Sequence, residues 1–234
     1  CSVSESKTEV ILALDVEDRS KANKILESTG DRLKWVKIGL QSYLRDGTDL
    51  VKLCQDCGKN VFLDLKLHDI PSTMSKALES LAPLSVKMIT LHSCAGSEAL
   101  AKCSETARRL MPQTTLLGVT VLTSMNQENL YSVGIKSTVD DQVLRLAKLS
   151  NESGIGGLVC SPLELPMLRT NLPSHYILVT PGIRPSGSAI GDQKRIMNPR
   201  KAKEAGADFL VIGRPILSAK DPARALEEIL EDLE

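Results

Sequence analysis

The feature that most constrains the fold is an alternation of short, apolar, β-rich runs with helical patterns. Several runs are apolar at nearly every position, which is typical of parallel strands covered on both faces. Eight runs occur, at residues 10–16, 34–39, 61–67, 86–92, 115–122, 156–160, 176–180 and 208–213. Eight strand–helix pairs in 234 residues fit a compact barrel. The sequence therefore predicts an α/β fold, a (β/α)8 TIM barrel, with residues 1–234 as a single domain.

A doubly wound open sheet could be built from the same units. Such a sheet usually has fewer strands, and its first strand is often followed by a glycine fingerprint. Here the first run continues into EDRS (17–20), which contains no glycine, so the closed barrel is favoured. Helix boundaries are indicated by Asp18 and Ser97 as N-caps and by Gly58 after the second helix.

Composition and charge exclude several classes of protein. With 42% apolar and 25% charged residues the chain is globular rather than disordered. Lys plus Arg and Asp plus Glu both number 29, so no overall positive field attracts nucleic acid or an anionic membrane. No apolar run approaches the roughly 20 residues that cross a bilayer, and the polar start lacks signal-peptide features. We expect a cytoplasmic protein that binds neither nucleic acid nor membrane.

The cysteines and histidines do not form a recognisable metal or redox motif. Six cysteines are too few for a disulfide scaffold and fit a reducing compartment. Cys54 and Cys57 form a CxxC, but it closes a helical pattern instead of opening a helix after a strand. The remaining candidate ligands are widely spaced in sequence, and the three histidines look scattered. We therefore expect no metal.

The C-terminal ends of the strands carry an unusual set of residues. In a TIM barrel this end forms the active site. Asp64 and Lys66 are two positions apart, so on a regular strand their side chains point to one side, with leucines on the other. Charges inside an apolar strand are costly unless they pair. The candidates at or near strand ends are Asp15, Lys37, Asp64, Lys66, His68, Asp69, His92, Thr123, Ser124, Arg184, Gly213 and Arg214.

The residues alone leave two interpretations of these charges open. Asp15, Lys37, Asp64 and Lys66 could form a structural ion-pair network in the barrel mouth. Such a network can often be replaced by apolar residues, so alternating Lys and Asp in a cleft points more to chemistry. Asp69 also has two interpretations, an N-cap before a proline-containing first turn or a catalytic group.

The last strand predicts an anion site. In TIM barrels a phosphate often lies in the loops after strands seven and eight. After the eighth run, Gly213 lets the backbone approach an anion and Arg214 can bind it through two hydrogen bonds. The preceding connection, at about residues 181–198, is long, polar and rich in Gly and Pro. We expect it to be a lid that contributes Arg184 and Gln193.

Several segments together resemble one known family. DLKLHDIPST (64–73) matches the DxKxHDIPxT signature of the orotidine 5′-phosphate decarboxylase family. Residues 178–196 and 211–216 resemble its closing-loop and phosphate-binding segments. The resemblance covers nearly the whole chain, from Val10 to the last helix. Four shorter segments occur in the family's order: ALD (13–15), KIG (37–39), LHSCAG (91–96) and VLTSM (121–125).

The resemblance implies a carboxy-lyase that converts orotidine 5′-monophosphate to uridine 5′-monophosphate in de novo pyrimidine biosynthesis. It implies no metal and no organic cofactor. Lys66 resembles the proton donor, and Asp64 resembles the carboxylate placed against the departing substrate carboxylate. Lys37 looks like the lysine that pairs with Asp64 and reaches the ribose, while Asp15 looks like a ligand of a ribose hydroxyl. A lysine between carboxylates stays protonated, which suits it as an acid.

The resemblance also implies a homodimer with active sites shared across the interface. Asp69 and Thr73 match positions that the family supplies to the neighbouring site. The resemblance implies that Asp69 is a catalytic residue there. Thr123 and Ser124 look like contacts to the pyrimidine, and Gln193 resembles a lid residue that touches base and phosphate. The remaining members of the substrate and phosphate set are Arg184, Gly213 and Arg214.

Three alternatives remain open. The first is a metal-dependent sugar-phosphate lyase or decarboxylase of the same barrel superfamily, which shares an Asp-x-Lys-x-x-Asp core but lacks the HDIP context. The second is a Schiff-base aldolase, which needs Lys66 neutral, whereas Asp64 and Asp69 oppose that state. The third is a non-catalytic barrel that binds a phosphate ligand, against which the intact Asp64 and Lys66 pair argues.

Overall fold

A closed barrel of parallel strands forms the centre of the protein. The computed structural model describes residues 7–185 and 197–234, and within these ranges eight strands pair in sequence order, with β8 returning to β1. This confirms the predicted TIM barrel. The strands are β1 (Glu9–Ala13), β2 (Trp35–Gly39), β3 (Asn60–Leu67), β4 (Met88–His92), β5 (Thr115–Val119), β6 (Gly157–Val159), β7 (Ile177–Thr180) and β8 (Phe209–Ile212).

Helices surround the barrel, and the apolar faces of helices and strands form the outer core. None of the helices in the described ranges is long and apolar enough to cross a membrane. The α-helices are α1 (Arg19–Thr29), α2 (Leu40–Asp56), α3 (Pro71–Leu81), α4 (Ser97–Leu110), α5 (Gln127–Ser132), α6 (Val139–Glu152), α7 (Leu165–Asn171), α8 (Pro199–Glu204), α9 (Arg214–Leu217) and α10 (Pro222–Asp232).

A second, smaller core fills the inside of the barrel. Ile11, Phe62, Leu117 and Val211 are among its buried members. Trp35 also belongs to it and satisfies its indole N–H by donating to the Glu9 carboxylate over 2.7 Å. These side chains fill the interior of the barrel below the C-terminal ends of the strands, where a TIM barrel forms its active site.

All eight predicted strands are present, although two of them end three residues earlier than expected. The first strand ends at Ala13 rather than at residue 16, and the fifth ends at Val119 rather than at residue 122. Asp15 and Thr123 consequently lie in loops at the mouth. The predicted runs were too long because the apolar residues Val16 and Val121 are buried in the loops that follow these strands.

The helix starts agree only partly with the sequence prediction. Asp18 caps α1 by accepting the Lys21 N–H over 2.8 Å, as predicted. Ser97 is the first residue of α4, and Gly96 with a φ of 96° takes the N-cap instead. The N-cap interpretation of Asp69 is wrong, because Ile70 precedes Pro71 of α3 and Asp69 only accepts the Ile70 N–H over 2.7 Å.

The connection after β7 is described only at its two ends. Ile183 and Met197 form an isolated parallel bridge at the base of the predicted lid, 181–198. Gln193, which was predicted to belong to the lid, lies outside the described residues.

Candidate functional site

A buried carboxylate lies between two lysines at the mouth of the barrel. Lys37 Nζ is 3.2 Å from Asp64 Oδ2, and Lys66 Nζ is 2.9 Å from both Asp64 oxygens. Asp64 is only 6% exposed. Burial alone would raise the pKa of Asp64, but the charges of Lys37 and Lys66 and the hydrogen bonds that it accepts lower this pKa below its usual value. Asp64 is therefore ionised at neutral pH, and both lysines have a fixed counter-charge.

Lys66 meets Asp64 through a bulge rather than through regular strand alternation. The pairing of β3 with β4 shifts between Leu63, which pairs with Ile89, and Leu67, which pairs with Leu91. Lys66 lies inside this bulge with a φ of 49°, a left-handed conformation that costs a non-glycine residue roughly 1–2 kcal/mol. The sequence correctly predicted the convergence of the two side chains, but the regular extended strand assumed for it is wrong.

Thr90 of β4 holds both members of this pair, and sequence reasoning missed it. Its hydroxyl donates to Asp64 Oδ1 over 2.7 Å and accepts the backbone N–H of Lys66 over 3.0 Å. Thr90 is fully buried. The signal was a polar residue at an alternate position of an otherwise apolar strand, between Met88 and His92.

Two adjoining cavities open around these groups. The smaller, of about 150 Å³, is lined by Asp64 and Lys66 together with apolar side chains such as Phe62. The larger, of about 450 Å³, is lined by Arg184 and Arg214 together with Asp15 and Gly213. Both cavities share Lys37, Pro181 and Val211 as lining residues. The site thus has a compact end with mutually paired charges and a wider end with two guanidinium groups.

Asp15 and Lys37 mark the junction between these ends. A Cβ placed on Gly39 would lie 3.4 Å from both Asp15 Oδ1 and Lys37 Nζ, so the two polar groups approach the same glycine. Gly213 lines the larger cavity without a side chain. A Cβ placed on it would lie 3.4 Å from Ala13 Cβ.

The other predicted residues divide between cavity and rim. Thr123 lines the smaller cavity, whereas Ser124 is exposed and is absent from the described residues that line it. Asp69 and Thr73 are exposed on the rim, and neither lines these two cavities within the described part of the chain. A single chain therefore assembles most of the predicted site but leaves Asp69 and Thr73 facing outward.

The histidines are less scattered than the sequence suggested. His68 directly follows β3 and His92 ends β4, and their ring centroids are 5.2 Å apart. Burial, followed by the charges of His68 and Lys66, lowers the pKa of His92.

The CxxC lies at the end of a helix, as predicted. Cys54 is buried inside α2, and Cys57 directly follows this helix. Burial raises the pKa of Cys54 to about 12.

Comparison with known proteins identifies the family. The family described as Orotidine 5′-phosphate decarboxylase / HUMPS matches residues 8–229. Orotidine 5′-phosphate decarboxylase of Opitutus terrae is 48% identical over 225 residues, with 96% of this chain and 98% of the relative covered. The enzyme of the same name from Pseudomonas fluorescens (strain Pf0-1) is 45% identical over 232 residues, with 99% and 100% covered.

A solved structure extends this likeness to three dimensions. The crystal structure of orotidine 5′-phosphate decarboxylase from Lactobacillus acidophilus superposes with a TM-score of 0.86 at 35% identity, covering 97% of this chain and 99% of that one. The sequence matches and the barrel fold therefore lead to the same family. The chain belongs to the orotidine 5′-phosphate decarboxylase / HUMPS family.

Proposed function

We propose that this protein decarboxylates orotidine 5′-monophosphate to uridine 5′-monophosphate, a step of pyrimidine biosynthesis, without an organic or metal cofactor. The observation that carries the proposal is Asp64, buried between Lys37 and Lys66 in the smaller cavity. Nearly full-length relatives that are 45% and 48% identical are named for this activity.

The reaction needs a group that supplies a proton to a ring carbon. When the bond to the carboxylate breaks, its electron pair stays on that carbon and neutral CO2 leaves. Lys66 is the acid in this proposal, because the adjacent Asp64 favours its ammonium form and the cavity positions it for transfer. The transferred proton forms the new C–H bond, and the neutral amine regains a proton from solvent.

The same charges act on the departing carboxylate. A substrate carboxylate in the smaller cavity lies against ionised Asp64, and this repulsion disappears as CO2 becomes neutral. The developing negative charge is at the ring carbon, where Lys66 stabilises it. Apolar neighbours such as Phe62 and Val119 limit solvent around these charges and strengthen their interactions. Thr123 lines the same cavity and is suited to contact the pyrimidine, with Ser124 beside it.

The wider cavity suits the nucleotide's phosphate. Arg184 and Arg214 bring positive charge to its wall, and Gly213 leaves room for an oxygen to approach the backbone. Asp15 and Lys37 lie between the two ends, where ribose hydroxyls would bind. Gln193 of the predicted lid would add a contact to base and phosphate. Binding energy from the remote phosphate can then be used at the reacting carbon.

We propose further that two chains form a homodimer and share their sites. Asp69 and Thr73 are exposed in one chain, and they follow Lys66 between the end of β3 and the first turn of α3. Large apolar side chains are exposed at the same edge, with Ile70 63%, Leu40 50% and Leu44 79% exposed. Exposed apolar residues grouped beside a site are typical of an interaction surface. A partner on this face would cover them and would bring its own Asp69 toward Lys66.

A cytoplasmic location completes the proposal. The substrate and product are soluble nucleotides, and the cysteines within the described residues are free thiols, as expected in a reducing compartment.

Incubation with orotidine 5′-monophosphate in the presence of a metal chelator tests the proposed function. We expect substrate absorbance to fall and uridine 5′-monophosphate to accumulate at the rate seen without chelator. Turnover of a sugar phosphate with added divalent metal, and none of orotidine 5′-monophosphate, would instead favour a sugar-phosphate lyase of the same superfamily. Binding of uridine 5′-monophosphate without any turnover would favour a non-catalytic phosphate-binding barrel.

A further inference from the structure

Three side chains with metal-ligating atoms meet at the barrel mouth, and the proposed mechanism uses none of them. His68, His92 and Cys94 each offer one ligating atom, and these atoms lie within 4.8 Å of one another. The two imidazole rings are tilted by 39° with centroids 5.2 Å apart. His92 is half-buried, whereas His68 and Cys94 are exposed in the single chain.

The bulge in β3 creates this arrangement. Because Leu67 rather than Leu65 pairs with Leu91, the residue that comes beside His92 is His68. A regular ladder continued from the Leu63–Ile89 pair would have put Lys66 there instead. Cys94 follows within the short turn Ser93–Ala95, directly after β4. The backbone irregularity that orients Lys66 thus also groups the three ligands.

The donor set is chemically selective. Two imidazoles and one thiolate suit Zn²⁺ and similar borderline-soft ions, and they are poor ligands for Mg²⁺. A tetrahedral zinc ion has bonds of about 2.0–2.3 Å to nitrogen and sulfur, so its ligand atoms must come somewhat closer together than 4.8 Å. Rotation of the exposed His68 and Cys94 side chains can close this gap. Three protein ligands leave the fourth position for water.

We propose that His68, His92 and Cys94 form an inhibitory binding site for zinc and chemically similar transition-metal ions. Thr90 and His92 are two residues apart on β4, so their Cα atoms are roughly 7 Å apart and the ion would lie near the Thr90–Asp64 contact. A dication there would partly cancel the negative field of Asp64. It would also destabilise the ammonium form of Lys66 by like-charge repulsion. Both effects reduce the electrostatic difference on which the proposed decarboxylation depends. The inhibitory consequence rests on the proposed function, whereas the binding site does not.

Cobalt spectroscopy on the native protein tests the site without any activity measurement. Titration with Co²⁺ should give tetrahedral visible bands and a thiolate-to-cobalt charge-transfer band that saturate at one ion per chain. Cys94→Ser should remove the thiolate band. Cys57→Ser, which alters another exposed thiol at the end of α2, is the matched control and should leave the spectrum unchanged. A wild-type protein without these bands, or Cys94→Ser with an unaltered spectrum, would overturn the proposal.

Zinc affinity gives a second readout, by competition with a chromophoric chelator. His92→Gln should weaken Zn²⁺ binding by more than about tenfold, because even outer-shell changes typically cost 10- to 100-fold. His175→Gln is the control, since this exposed histidine precedes β7 away from the mouth. Equal affinity in the two variants would contradict His92 as a ligand.

The inhibitory effect is tested last. Zn²⁺ should inhibit orotidine 5′-monophosphate decarboxylation by the wild type, a chelator should restore the rate, and Cys94→Ser should need roughly tenfold more zinc. Equal zinc sensitivity of the two proteins would overturn inhibition through this site. Absence of decarboxylation in untreated protein would contradict the proposed function, while the cobalt spectrum would still decide the metal site.

Discussion

The two ends of the proposed active site are built in different ways. At the smaller cavity, side chains of three adjacent strands, β2, β3 and β4, hold Asp64 through contacts of 2.7–3.2 Å. At the larger cavity, the cations come from connections, with Arg184 after β7 and Arg214 at the start of α9. The first end is fixed by the barrel itself, and the second depends on segments that follow the strands.

This difference separates catalytic electrostatics from binding. Charges held rigidly before substrate arrives need no reorganisation during the reaction, which is the condition for strong electrostatic stabilisation. Residues on connections can adapt around a ligand and convert its binding energy into closure. Substitutions at the strand end should therefore reduce turnover, whereas those at the arginine end should reduce the advantage of the phosphate.

Lys66→Ala should have the largest effect. We expect turnover to fall at least about 100-fold, since general acid catalysis contributes 10²- to 10⁴-fold. Uridine 5′-monophosphate binding and the circular dichroism spectrum should be retained. Lys66→Arg should lose turnover as well, because a guanidinium is a poor acid. Lys76→Ala, at an exposed lysine of α3, is the control. A Lys66→Ala enzyme retaining more than about a hundredth of wild-type turnover would show that another group donates the proton.

Arg214→Ala should act on the phosphate end alone. One charge-assisted contact contributes about 1.5–3 kcal/mol, so kcat/KM for orotidine 5′-monophosphate should fall roughly 10- to 150-fold. Turnover of orotidine, which has no phosphate, should barely change. Arg200→Ala, at an arginine on α8 that pairs with Asp232, serves as the matched control. Equal losses on both substrates would mean that Arg214 supports the structure instead of binding the anion.

Thr90→Val should have a smaller effect at the strand end. It removes the hydroxyl that donates to Asp64 and accepts from Lys66, and we expect kcat to fall about tenfold with little change in KM. The hydrogen bond lowers the pKa of Asp64, so its loss raises that pKa. The acidic limb of the kcat profile should therefore move to higher pH. Thr90→Ser should restore both values, and an unshifted profile would mean that Thr90 only packs the strand.

Subunit mixing tests whether Asp69 serves the active site of its own chain or that of the partner. Lys66→Ala and Asp69→Ala proteins should each be nearly inactive, and mixing them with subunit exchange should restore roughly a quarter of wild-type activity, since half the dimers then have one intact site. Lys66→Ala mixed with Asp64→Asn is the control and should recover nothing, because both residues serve the same site from the same chain. No recovery in the first mixture, despite exchange, would remove the shared site.

Local patterns in the sequence were sufficient for the architecture. Eight β-rich runs predicted eight strands because a parallel barrel buries each strand on both faces and so makes it uniformly apolar. The pairing of Asp64 with Lys66 was also predictable, since two charges in such a strand must neutralise each other.

Features that depend on two strands at once were not predictable. The bulge at Lys66, the role of Thr90 and the approach of His68 to His92 all follow from the register of β3 against β4. No single strand encodes that register. Similarly, Asp69 resembles an N-cap from its neighbours alone, and only the backbone shows that Ile70 occupies the position.

In the proposed mechanism, Asp64 acts by its charge on the substrate carboxylate. Equilibrium binding in an inactive Lys66→Ala background measures this directly, with and without Asp64→Asn. Removing the charge should tighten binding of orotidine 5′-monophosphate by at least about tenfold, since two charges near 4 Å interact by several kcal/mol even in a partly screened site. Binding of uridine 5′-monophosphate, which lacks the carboxylate, should stay the same. Equal changes for both nucleotides, or weaker binding of orotidine 5′-monophosphate alone, would contradict the claim.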